Sequence, residues 1–391
     1  MAFSSSLFNS TQISLEIDAA AQDQAWQVSQ RFATRLSQWN AYINQLCLQT
    51  VLPWLEEDSI AIPYPSSRAL SSIWEMVNGT AILLQPENRA AAAQKLVVIP
   101  TETIDQDEFL IPQEWVDIPE WMGDYYLLTQ VDPDERTLTI QGFVTHYQLK
   151  QRSHYIPDDR AYSLDESSLN DMSTFWVAQT LSMAEPARAE VRPLPALSVA
   201  QAQQLIQRLG NAELLEPRLA IPFEIWGALM SHGGWRQRLA EQRRGIAESR
   251  SLRDWLQSGV SNLAQQWGWQ QVNYQFSFNA ARGSTEAAGE TALLQPIQVA
   301  DGIYTLQVIP INLESNIWRF ELRNQTPGAL IPTGFVLRLL TEDLQGFENN
   351  QAVATAATEQ LYLEVALEPG EGLVWEVEPT PAEYEREVLR F

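Results

Sequence analysis

The stretch Tyr125–Val144, YYLLTQVDPDERTLTIQGFV, decides how the first part of the chain folds. Two apolar runs flank Asp132-Pro133-Asp134-Glu135. Proline presets φ for a turn, and aspartate side chains satisfy backbone amides close by. In the second run Leu138 and Ile140 alternate with Thr137, Thr139 and Gln141, the period of a strand with one face buried. An antiparallel hairpin follows. Upstream, KLVVIP (Lys95–Pro100) and EFLIP (Glu108–Pro112) read as further short strands. Asn78-Gly79 between IWEMV and TAILL carries the strongest short hairpin signal.

Ahead of these strands, Ala25, Val28, Phe32, Leu36, Trp39, Ile43 and Leu46 recur at spacings of three and four. That stripe predicts one amphipathic helix from about Ala20 to Thr50, closed by Pro53 and packed on its own domain. Helix and strands together make residues 1–170 an α+β domain.

Residues 171–268 read as a helical middle segment. DMSTFWVAQTL is a possible first helix, and PARAEVRPLPAL (Pro186–Leu197) is a proline-rich joint. Ser198 caps VAQAQQLIQRL and Gly210 stands where it ends. Pro222 opens a helix with Phe223, Trp226 and Leu229 or Met230 inward, Gly233-Gly234 breaks it, and Trp235–Arg244 resumes. Ser251 caps one more, with Leu252, Leu256, Val260, Leu263 and Trp267 on one face. From residue 269 the pattern turns to strands. QVNYQFSF, YTLQVIPI, IWRFELR, GFVLRLL, EQLYLEVAL and LVWEVEP are parted by Gly, Pro, Asn or Asp. This spacing predicts a C-terminal antiparallel β-sandwich over 269–391, with a linker near 279–290 and a tail, PAEYEREVLRF, that is a short helix or a loose end.

A chain of 391 residues with 45% hydrophobic content and 14 Trp has ample material for packed cores. No apolar run is long enough to span a bilayer, so no membrane association is expected. The start, MAFSSSLFNSTQISLEI, lacks the basic and apolar regions of a secretory signal, and Cys47 stands alone, so the expected home is cytoplasmic without disulfides or cysteine metal clusters. A formal net charge of −24 argues against a nucleic-acid-binding surface, which needs clustered cations.

The one basic island is Arg218–Trp255, where Arg236, Arg238, Arg243, Arg244, Arg250 and Arg253 fall within eighteen residues. Arg236, Arg238, Arg243 and Arg244, with Trp226, Trp235 and Trp255, are the candidate partner-binding residues. Guanidinium forks clamp carboxylates or phosphates, and Trp and Arg dominate binding hot spots. The same arginines have a second reading, as glue between the helical segment and the acidic domains around it. Phosphate-binding, dinucleotide, zinc-protease, nucleophile-elbow and calcium-loop patterns are absent from the sequence, and no cofactor, metal or catalytic residue is assigned. His146 reads as a hydrogen-bonded structural imidazole at the end of a strand, and His232 as a helix-end residue favourable to the dipole. Acidic groups such as Glu56-Glu57-Asp58, Asp158-Asp159 and the pair Glu376 and Glu378 read as solvated faces.

Several segments, in order, resemble a cyanobacterial family known as domain of unknown function 1822. They are YINQLCLQTVLPWL, IWEMVNGTAILL, LVVIPTE, IPQEWVDIPEWMGDYYLLTQVDPDERTLTIQGFVTHYQLK, FEIWGALMSHGGWRQRL and SLRDWLQ. The family brings no catalytic residues to carry over. Its members are commonly encoded near alternative sigma factors and near proteins with signalling or caspase-like domains. The resemblance therefore implies a non-enzymatic regulatory protein that binds a signalling partner or sequesters a sigma factor. Two alternatives stand beside it. One is a ligand-binding or hydrolytic enzyme with a site between the N-terminal domain and the helical middle. The other is a structural subunit assembling through its β-sandwich.

Overall fold

The computed structural model describes residues 12–56, 59–85, 93–102, 108–176, 186–246, 251–261, 264–265, 267–274, 290–300, 302–381 and 384–391. The protein is mixed α+β. It divides into two compact units, Met1–Ala247 and Glu248–Phe391.

In the first unit the hairpin forms as its sequence predicts. β6 (Tyr125–Asp132) pairs antiparallel with β7 (Thr137–Thr145), and Leu138 and Ile140 are fully buried. This pair sits in a six-stranded sheet of order β1-β7-β6-β4-β3-β2, with β1 at Ile13–Glu16, β2 at Ile60–Pro63, β3 at Thr80–Gln85 and β4 at Gln94–Thr101. Only β4 and β6 run parallel. Both are buried along most of their length, as expected of strands covered on both faces. A second sheet, β5-β9-β8, joins Glu108–Pro112, Ala161–Asp165 and His154–Ile156.

The predicted single helix is two. α1 (Ala19–Ser29) stops, and α2 (Arg35–Leu55) starts afresh behind a capping box. The Thr34 hydroxyl accepts from Ser37 N at 3.1 Å, and Ser37 Oγ accepts from Thr34 N at 3.0 Å. α2 buries Ile43 and Leu46 of the predicted stripe together with Ala41, Tyr42 and Val51, and leaves Leu36 and Trp39, in its first turns, outside. Pro53 does not close α2. It withholds one N–H, but the helix runs on to Leu55, and Glu56 N donates to Leu52 O.

Asn78-Gly79 is not a hairpin turn either. IWEMV begins inside α3 (Ser67–Trp74), and the Asn-Gly pair joins that helix to β3. Two indoles and an amide fix it: Trp115 Nε1 donates to Asn78 O, Trp74 Nε1 to Gly79 O, and Gly79 N to Asn44 Oδ1, at 2.8, 3.0 and 2.8 Å. Gly79 has φ +111°, and a Cβ there would lie 2.5 Å from the Trp115 indole nitrogen. Only glycine fits.

α4 (Gln113–Asp117) and α5 (His146–Arg152) follow β5 and β7. α6 (Val199–Leu209) has the predicted Ser198 cap, doubled by Gln201. α7 (Phe223–Ser231) and α8 (Gly233–Arg243) meet at His232, so Gly233 and Gly234 open the second helix, where close packing leaves them buried. The possible helix DMSTFWVAQTL opens with a 3-10 turn over Met172–Thr174 and is α-helical at residues 175–176, and its later residues lie outside the described ones.

In the second unit α9 (Leu252–Ser258) begins at its predicted Ser251 cap and ends at Gly259, φ +91°. Two antiparallel sheets follow. The first has order β10-β11-β12-β13-β16, from Gln270–Tyr274, Glu290–Val299, Gly302–Asn312, Ile317–Asn324 and Gln360–Ala366. The second has order β15-β14-β17-β18, from Gln351–Val353, Val336–Thr341, Gly372–Glu378 and Leu389–Arg390. Leu306, Phe320 and Leu363 of the first sheet share one core with Leu337, Leu339 and Trp375 of the second. The tail is neither helix nor loose end. β18 pairs with β17, buried Glu387 accepts from the indoles of Trp269 and Trp375, and the Phe391 ring packs edge-on against Trp318 at 5.0 Å. Most of the predicted linker at 279–290 falls outside the described residues.

Candidate functional site

Five of the seven partner-binding candidates are buried: Trp226, Trp235, Arg236, Arg243 and Trp255. Arg244 is largely covered, and Arg238 is exposed. The buried arginines meet backbone carbonyls, a serine hydroxyl and the Glu75 carboxylate. Arg236 gives Nε to Ser72 Oγ at 2.9 Å and Nη1 to Met230 O at 2.8 Å, with its guanidinium 5.4 Å from the Trp121 ring centre. Arg243 Nη1 reaches the carbonyls of Leu209, Asn211 and Leu214 at 3.0–3.2 Å.

Glu75, whose side chain is fully buried at the end of α3, is the shared anion. Arg244 Nε donates to it at 2.9 Å, Arg243 Nε lies 3.8 Å away, and Ala33 N donates from the break between α1 and α2. Burial pulls Arg243 below the usual guanidinium range, with Glu75 pulling the other way. A second buried carboxylate, Glu114, receives Arg218 through both Nε (2.9 Å) and Nη2 (2.8 Å) and the Trp226 indole at 2.8 Å. Burial alone would lower Arg218, but the Glu114 charge and hydrogen bonds outweigh it and hold the residue above its ordinary value. Sequence spacing showed the arginines of α8 but not their partners, of which Ser72 and Glu75 lie more than a hundred positions upstream and the carbonyls of Leu209, Asn211 and Leu214 about thirty.

The exposed aromatic surface lies elsewhere. Trp26 is 52% exposed and Trp39 40%, and Tyr42 sits between them at ring distances of 5.5 and 5.4 Å. The Trp39 indole donates to Glu102. One turn back on α2, Leu36 (46% exposed) lines a cleft of about 140 Å³ together with Leu215 (62%), Asn40, Asn78, Glu75 and Arg218. The wall is apolar at the exposed leucines and polar at Asn40 and Asn78. Of its three charged liners, Glu75 is matched by Arg244 and Arg218 by Glu114, and Glu216 is exposed. The cleft has room for one aliphatic side chain. Sequence spacing puts Leu36 and Trp39 in the core because they share a face of α2 with Ile43 and Leu46, which are buried; spacing does not tell how far along the helix the cover extends.

His146 has no ring nitrogen to spare. Ala189 N donates to Nδ1 at 3.0 Å, so the ring proton is on Nε2 and donates to Val116 O at 2.9 Å. The ring is fully buried, opens α5 rather than ending a strand, and is pulled below the usual imidazole value by burial. His232 caps α8 at its N-terminus. There Nδ1 accepts from Trp235 N at 3.2 Å and the ring stacks on Trp235 at 4.0 Å, a place for a neutral acceptor rather than a charge favourable to a helix C-terminus. His154 lies exposed on β8.

The two lysines of the sequence, Lys95 in β4 and Lys150 in α5, are both tied down. Lys95 donates to Glu120 O and lies 4.1 Å from the Tyr64 ring centre; burial, helped by the Arg188 charge, pulls it down to about 7. Lys150 bonds Asp117 at 2.9 Å and the Tyr162 hydroxyl at 2.6 Å. Glu376 and Glu378 face the partly exposed Arg338, and Glu376 also meets Arg386. Glu57 and Asp58 lie outside the described residues. Among the described residues no three His, Cys, Asp or Glu side chains are grouped to hold a metal ion, and no helix is long and apolar enough to cross a membrane.

A family model described as Protein of unknown function (DUF1822) matches residues 15–390. The chain belongs to that family. No curated protein and no solved structure matches it.

Proposed function

We propose that this member of the DUF1822 family is a non-enzymatic regulatory protein that binds another protein through the α1–α2 face, and that its partner is a sigma factor or a signalling protein. The observation that carries the reading is the exposed pair Trp26 and Trp39, packed on either side of the buried Tyr42 ring and leading through Leu36 to a side-chain-sized cleft. Contiguous apolar surface of this kind marks interaction sites, and tryptophan is the residue most often found at their energetic centre. The net charge of −24 favours a basic partner, whose approach it would steer.

Two further parts of the reading rest on lesser support. The shared core of the two sheets in the second unit favours an antiparallel β-sandwich. The lone cysteine, Cys47, buried and pushed up to about 12, suits a reducing cytoplasmic setting.

Affinity purification from the native cell, with the wild-type chain and the double variant Trp26→Ala/Trp39→Ala run in parallel, tests the proposal. A basic protein recovered with the wild type and lost with the variant is the expected result. Recovery of no partner across growth and stress conditions, or equal recovery with both chains, defeats it.

A further inference from the structure

Residues 186–197 cross the surface of the first unit as an extended segment outside any helix or strand. Pro186, Pro193 and Pro195 have no N–H to pair, and prolines favour the open conformation in which peptides lie in grooves. Three contacts hold its first residues. Tyr147 N donates to Ala187 O at 3.0 Å. Ala189 N donates to His146 Nδ1 at 3.0 Å. Between them, Arg188 gives Nη2 to Asp124 Oδ2 at 2.9 Å, and its Nε lies 2.8 Å from Oδ1.

The three reading groups are set by the folded unit without help from the segment. Asp124 Oδ2 accepts from Lys95 N of β4 at 2.7 Å, and Asp124 N donates to Lys95 O at 2.7 Å. The His146 ring is fixed by Val116 O and lies against Tyr126, ring centres 6.1 Å apart. Such a surface is ready-made for an extended chain with one arginine, which costs it little reorganisation to bind. The hold on the segment's first residues is local: one two-point ion pair, with the Arg188 side chain 37% exposed and that of Asp124 16%, and two backbone contacts, with no strand ladder beside them.

We infer that Asp124, His146 and Tyr147 form a subsite that reads an arginine-bearing extended segment, that Ala187–Ala189 fill it within this chain, and that an arginine-bearing segment of a partner protein takes their place. The acidic balance of the chain favours that partner chemistry over an acidic peptide. The subsite is distinct from the Trp39 face and does not rest on it.

The test uses the full chain and a fluorescent peptide with the sequence PARAEVRPL, copied from residues 186–194. Polarisation titrations should show the peptide binding the Arg188→Ala chain at least about tenfold more tightly than the wild type, because the internal competitor is weakened. Adding Asp124→Asn, or replacing the arginine after the first alanine of the peptide with alanine, should remove that gain. Equal binding to all three chains, or binding to none of them, overturns the inference. A measurement on the wild type stands in should Arg188→Ala fail to fold. Hydrogen exchange, corrected for intrinsic rates, should be at least about tenfold faster at the Ala189 and Tyr147 amides than at the central amides of β6. Equal protection means that the segment opens only with the whole unit, and that result overturns the inference too.

Discussion

Helix α8 and the outer face of α1 and α2 reverse what their compositions suggest. α8 carries the arginines of an otherwise acidic chain, yet Arg236 and Arg243 are buried. α2 carries an aromatic stripe, yet Trp39 and Leu36 stand in solvent. The difference lies in what each side chain finds around it. Arginine has five donors in a fixed fork, and α8 packs where the carbonyls of Leu209, Asn211 and Leu214 meet Arg243 beside the Glu75 carboxylate and that of Met230 meets Arg236. Burial of such a cation is tolerable only with that many acceptors. Trp39, by contrast, stands in the first turns of α2, on the face that carries the buried Ile43 and Leu46 further along, where less of the unit covers it. Composition tells which groups are present; what packs around each of them decides whether it is covered.

The contrast can be broken most forcefully at Glu75. Glu75→Ala removes the carboxylate from Arg243 and Arg244 together, and a buried pair that loses one partner costs about 3–5 kcal/mol. Denaturant unfolding of the first unit should show a loss of that size, and a loss below about 1 kcal/mol would mean that the arginines are held by carbonyls alone. On the other face, Trp39→Ala should weaken partner binding by about 2 kcal/mol, a hot-spot loss, as measured by titration with the purified partner. The same variant should cost the fold less than about 1.5 kcal/mol, since a side chain 40% exposed leaves only a partial cavity. A larger fall in stability than in affinity would make Trp39 a core residue after all. The smallest effect belongs to Arg238, exposed on the same helix as Arg236. Arg238→Ala should change stability by no more than about 0.5 kcal/mol, and a loss near that of Glu75→Ala would erase the distinction between the two sides of α8.

What could be read from the sequence follows the range of the interactions. The β6–β7 hairpin, the Ser198 and Ser251 caps and the strands of the second unit depend on residues a few positions apart, and their patterns survive in the sequence. The break at residues 30–34 depends on a Thr34–Ser37 box inside an unbroken apolar rhythm, with Glu75 closing on Ala33 from over forty positions away. Asn78-Gly79 had the residues of a hairpin turn, but the clamps that make it a helix-to-strand joint come from Asn44 and Trp115. Of the candidate site, the local tryptophans were visible and their exposure was not. Trp226 reads from the sequence both as inward on its helix and as a partner-binding candidate, and nothing nearby in sequence announces Glu114 as its acceptor. The tail was missed for a related reason. Leu389–Arg390 is too short to show alternation, and its partner strand lies across a turn of irregular backbone.

The placement of the two lysines has an analytical use. A protease that cuts only after lysine has two targets in the sequence, one inside strand β4 and one inside helix α5, and neither can enter a protease cleft while those elements hold. Cleavage would therefore clock the opening of the first unit, at a rate set by how often it unfolds. Residues 151–391, which contain no lysine, would come away as one fragment whatever the state of the second unit. A gel of the digest then follows the opening of the first unit alone, without a label or a spectroscopic probe.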